Sequence, residues 1–133
     1  MINPKELRIG NILQNGYRTV KVSSLFKGHF KCETLEQCSL DTSVQLNYTG
    51  IPLTEEWLLK LGFKDNGFGG FEISYNPSKY NDSIITYRIG KSSYSSIGWF
   101  LYEGAITIKS EIEHVHQLQN LYFALTGEEL EIK

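Results

Sequence analysis

Three residue groups in this chain could carry chemistry, and each implies a different kind. His114 and His116 are one residue apart, and imidazoles that share a face can grip a metal ion. Cys32 and Cys38 could form a redox pair, supply thiolate ligands, or provide a nucleophile beside a distant histidine. The run Asp65-Asn66-Gly67-Phe68-Gly69-Gly70 is glycine-rich, as phosphate-cradling loops are.

None of the three holds the spacing its chemistry needs. Side chains at i and i+2 on a helix point about 200° apart, so a helical His114 and His116 cannot hold one ion. The cysteines match neither Cys-x-x-Cys nor a zinc ribbon, and there is no Gly-x-Ser-x-Gly elbow. No Lys-Ser or Lys-Thr follows the glycines, and a strand pattern rather than a helix comes next. We therefore expect no catalytic residues, no cofactor and no metal.

Two surfaces remain as candidates. Residues 1–31 carry Lys5, Arg8, Arg18, Lys21, Lys27 and Lys31 against Glu6 alone, whereas the last 23 residues are mostly acidic in their charges. Arg8, Arg18, Lys21, Lys27 and Lys31, with Tyr17 and Phe30 to stack bases, are the ingredients of a nucleic-acid-binding strand face. The net charge of −2 and a pI near 5.9 weigh against that reading. The other surface is a pair of loops with Tyr80, Ser92, Ser93 and Tyr94, a composition suited to adaptable protein contacts. The leading expectation is a non-enzymatic binding or adaptor protein that contacts a protein partner or itself. A nucleic-acid-binding module is the alternative.

The elements that must position these residues read as an α+β domain spanning 1–133, with lobes at 1–50 and 51–133. Apolar alternation over 6–13, 17–26 and 29–35 implies a small N-terminal β-meander or SH3-like lobe, with Phe30 and Cys32 on one face. Asn15-Gly16 is the best hairpin turn, and one more strand is expected near 43–48. In 51-IPLTEEWLLKLGF-63, Thr54 is the N-cap of a short helix, Leu53 and Leu58 form a staple, and Gly62 ends it. Strands at 71–75, 83–89, 98–102 and 105–109 make an antiparallel sheet, the last two joined at Glu103-Gly104. Ser110 and Glu113 have capping-box spacing for a C-terminal helix packed on one face of that sheet, and the tail adds strand at Leu130 and Ile132.

On a helical wheel that last helix has an apolar arc of about 200°, wider than one core contact needs. His114 and His116 mark its opposite borders, and Asn120 falls on the narrow polar face. Phe123 is therefore expected to be mostly buried in the assembled state and belongs with the partner-binding candidates. The start MINPKELRIG lacks an apolar signal core, and no run of about 18 apolar residues exists, so the expected setting is cytoplasmic, away from membranes.

The segments 6-ELRIGN-11, 51-IPLTEEWLLKLGF-63 and 115-VHQLQNLYFALTGEEL-130 together resemble a family of small proteins of Bacteroides-type gut bacteria, often encoded in prophages and other mobile elements. The resemblance implies a genomic setting and a soluble accessory role. It implies no activity and no site residues.

Overall fold

A computed structural model describes residues 2–16, 18–26, 29–34, 40–41, 48–77, 84–91 and 98–133. It is an α+β fold with two antiparallel five-stranded sheets, and its contacts divide the chain into two units. Unit 1 comprises Met1–Pro52 and His114–Leu121; unit 2 comprises Leu53–Glu113 and Tyr122–Lys133. Among the described residues, no helix is long and apolar enough to cross a membrane.

In unit 1 a 3-10 turn at Pro4–Glu6 precedes β1 (Ile12–Asn15), β2 (Arg18–Phe26), β3 (His29–Thr34), β4 (Leu40–Asp41) and β5 (Tyr48–Gly50). The strand order is β4-β3-β2-β1-β5. This is a meander whose fifth strand returns beside the first, in keeping with the curled lobe expected. One face of β1, β2, β3 and β5 turns inward: Leu13, Val20, Val22, Phe30, Cys32 and Tyr48 form the core with Ile2 and Leu7. The segment before β1 is not strand as expected. Gly10 N–H donates to Val22 O and Val22 N–H to Asn11 O, and these two bonds join it to β2. The expected strand near 43–48 lies largely outside the described residues.

Unit 2 opens with α1 (Glu55–Lys60), followed by β6 (Lys64–Asp65), β7 (Phe71–Tyr75), β8 (Ile85–Gly90), β9 (Trp99–Glu103) and β10 (Ile106–Ile112) in the order β10-β9-β8-β7-β6. The Thr54 hydroxyl accepts from Trp57 N–H at 3.3 Å, as an N-cap does. At the other end Phe63 N–H reaches Leu58 O and Gly62 N–H reaches Leu59 O, with Gly62 at φ +95°. Those two bonds are the Schellman pair, and Phe63 is buried beside the helix it closes. In the sheet Phe71, Tyr87, Ile89, Trp99 and Leu101 are buried. Glu72 and Arg88 pair on the opposite face at 3.3 Å.

Both hairpin turns sit one residue later than their sequence signals. Asn15 pairs with Arg18 and Glu103 with Ile106, so the glycine is the first central residue of each loop. Gly16 and Gly104 have φ of +60° and +58°, the left-handed values that primed hairpin turns require.

β10 departs most from its pattern. Its register against β9 shifts twice, between Thr107 and Lys109 and between Lys109 and Ile112, Ile106 is 72% exposed, and Ser110 to Ile112 continue the strand to the pairing of Ile112 with Trp99. The tail is not a strand either. Leu130 is buried and Lys133 N–H donates to Lys60 O, so residues 128–133 dock against the end of α1 as coil.

The last helix, α2, runs Val115–Thr126, its first seven residues counting with unit 1 and its last five with unit 2. In unit 2 its end is tied to β7 by Tyr75 Oη donating to Thr126 O at 2.9 Å.

Candidate functional site

The site is built where α2 begins, and it begins later than the Ser110–Glu113 spacing implies. Ser110 is in β10, and His114 holds the N-cap position. His114 O accepts the first helical bond from Leu118 N–H. The Gln117 Oε1 accepts from His114 N–H at 3.0 Å, which is the returning half of a capping box. A bridge between Pro52 and His114 and a bond from Val115 N–H to Ile51 O stitch this start to the chain leaving β5.

An N-cap residue has non-helical backbone, so the wheel does not apply to His114. The two imidazoles, expected on opposite borders of the helix, instead stack with centroids 5.6 Å apart and planes 25° apart. They pack against Gly50 of β5. A Cβ there would lie 2.7 Å from His114 Cδ2 and 2.9 Å from His116 Cε1. The glycine makes room for the ring pair.

The amides after the histidines do structural work that the wheel hides. Gln119 is buried, its Oε1 accepting from Ile12 N–H at 2.8 Å and its Nε2 donating to Gly10 O at 3.1 Å. Asn120, expected on a solvent face, accepts from Asn11 Nδ2 at 2.8 Å and donates to Glu6 O at 2.6 Å. These bonds supply the backbone partners that the segment before β1 lacks as a non-strand. They also hold Glu6 near the start of α2.

The result is an open cleft of about 470 Å³ lined by Ile2, Asn3, Glu6, Thr49, Gly50, His114, His116 and Gln117. That volume is within the range of small-ligand sites. His116 is 2% exposed, and neither ring nitrogen has a hydrogen-bond partner. Its Nε2 lies 3.7 Å from Glu6 Oε2, too far for a hydrogen bond, and the Glu6 side chain is 56% exposed. Burial pushes the His116 pKa down from its ordinary value, and the neighbouring His114 adds to this; Glu6 pulls the other way but does not prevail.

The sign of the resulting pH dependence follows. A histidine held neutral by the fold contributes stability that is complete above its unfolded pKa near 6.5 and is lost as pH falls below it toward the depressed folded value. Denaturant midpoints measured across that window are expected to fall with acid, and His116→Leu is expected to flatten this part of the profile. An unchanged slope in the variant would assign the pH dependence to other groups.

The other sequence candidates are dispersed or lie elsewhere. Tyr80, Ser92, Ser93, Tyr94, Tyr17, Lys27 and Cys38 fall outside the described residues. Phe123 is 37% exposed in the single chain, so its burial would require a second molecule. Of the basic group, Arg18 and Lys31 are exposed, Arg8 and Lys21 half-buried. Lys21 is paired in register with Glu33, and Lys31 sits over the Phe26 ring at 5.5 Å. Phe30 is 3% exposed and cannot stack a base, because β3 turns it inward with Cys32. Among the described residues no group of three or more His, Cys, Asp or Glu is placed to hold a metal ion.

The histidine cleft itself was not legible as a site, because its residues come from three distant segments and the capping role of His114 has no signature of its own. No protein-family model, curated protein or solved structure matches this chain.

Proposed function

We propose that this is a non-enzymatic binding protein that acts through protein–protein contacts, with the histidine cleft of unit 1 as its recognition surface. The observation that carries the reading is His116: a buried imidazole in the wall of an open cleft with both nitrogens lacking hydrogen-bond partners. An unsatisfied buried polar group costs about 1–3 kcal/mol, a cost that a bound group can relieve. Binding is favoured over catalysis because, among the described lining residues, Thr49 is the sole hydroxyl and none is a cysteine. The resemblance to small proteins of bacterial mobile elements supports a bacterial, cytoplasmic setting for this role, with a second copy of the chain as one form of the partner.

A photo-crosslinking residue at Thr49, which is exposed at the cleft, is expected to trap a discrete partner, and Glu6→Arg is expected to abolish that product by filling the cleft. Equal trapping from Lys109, an exposed position of β10 in unit 2, would overturn the assignment of the surface. Light scattering on the purified chain decides whether the partner is a second copy; a monomer at high concentration removes that form.

A further inference from the structure

We infer that the cleft takes a planar cation, a guanidinium or amidinium, held between the Glu6 carboxylate and the His114–His116 ring pair. This rests on the cleft being the recognition surface and adds the chemistry of what enters it.

The charge of the lining favours a cation. Among the described lining residues Glu6 is the one carboxylate, and none is Lys or Arg. The start of α2 offers a partial positive charge of about one half, less than the carboxylate it faces. Two of the backbone N–H groups there are already engaged, Val115 by Ile51 O and His114 by Gln117. An anion would meet Glu6 with little to receive it.

The geometry favours a forked donor. His116 Nε2 and Glu6 Oε2 stand 3.7 Å apart, too far to satisfy each other, yet close enough for two N–H groups of one planar fork to reach both. His116 is fixed by burial, whereas the more exposed Glu6 side chain can swing to uncover Nε2. Of the stacked rings His114 is the accessible one, and a guanidinium lies flat on an aromatic face as a compact ammonium does not.

Proton and ligand compete. The titratable groups facing His116 are Glu6 from the N-terminal turn and His114 from the entry to α2; β5 contributes Thr49 and Gly50, which do not titrate. Protonating His116 puts a positive charge where the cation binds, so acid weakens the complex.

The test is a titration of the full chain followed by the imidazole C–H resonances of His114 and His116. Nα-acetyl-arginine amide is expected to shift both saturably, and its citrulline counterpart, isosteric and neutral, to bind at least about tenfold more weakly, as loss of a charge-assisted pair requires. Glu6→Gln is expected to weaken the arginine probe by a similar factor. His114→Ala, which keeps Glu6, should reduce the preference for arginine over lysine amide. Lowering the pH from about 8 to below the ordinary histidine range, toward the depressed pKa of His116, should weaken binding further. Tighter binding of the arginine amide than of agmatine assigns a partner's arginine side chain; the reverse assigns a free small guanidine. Preference for the citrulline probe or for inorganic phosphate would overturn the cationic class while leaving the cleft as a binding surface. No shift from any probe would remove both.

Discussion

Replacing Gln119 by Leu is expected to destabilise the protein by roughly 2–5 kcal/mol, although the volume changes little. The Gln119 amide is 1% exposed and answers two backbone groups at once, the N–H of Ile12 and the C=O of Gly10. Leucine leaves both without their partner, and each unsatisfied buried group costs about 1–3 kcal/mol. The better hydrophobicity of leucine offsets part of this. The measurement is a urea titration: the midpoint should drop with an unchanged slope, since the surface exposed on unfolding is the same. Asn120→Ala should cost less, because Asn120 is only half-buried and water can replace it. A Gln119→Leu variant within about 0.5 kcal/mol of the native chain, the usual range of an inconsequential surface change, would show that β1 holds its start without α2.

Much of the fold is written locally. α1 is legible because every signal agrees within one short stretch: the Thr54 cap, the apolar Leu58 and Leu61, Gly62, and Phe63 folding back. The alternation of Val20 with Val22 and of Phe30 with Cys32 reports their burial correctly. What failed depended on partners far along the chain. Ser110-x-x-Glu113 is a sound cap signal, but pairing with β9 extends β10 through Ile112, and the ladder takes residues that a helix would otherwise recruit. With the start of α2 displaced, every angle for His114 is wrong. The polar arc assigned to Asn120 then faces Asn11 and the Glu6 carbonyl rather than water. Leu130 is buried without strand pairing, which a two-residue period cannot express.

Gly50 offers the sharpest test of the site's construction, since a single methyl group there should disturb both stability and the ring pair. Alanine normally gains about 0.4–1 kcal/mol over glycine by restricting the unfolded chain. Here its Cβ would lie 2.7 and 2.8 Å from His114 Cδ2 and Cγ and 2.9 Å from His116 Cε1, distances that real contacts do not show. Overpacking of this kind costs about 1–3 kcal/mol, so the net sign is destabilising. His116 is enclosed and cannot retreat, whereas the half-buried His114 can swing outward and open the stack. Gly50→Ala should therefore lower the urea midpoint and shift the His114 ring resonances more than those of His116. Removing the obstructing ring should rescue the loss. In a cycle with His114→Ala the double variant is expected to be more stable than the sum of the single effects, with a coupling within the 0.5–3 kcal/mol seen for residues in contact. Additive losses would mean that the imidazole pair does not set the requirement for glycine at position 50, and that it is not what holds β5 at the mouth of the cleft.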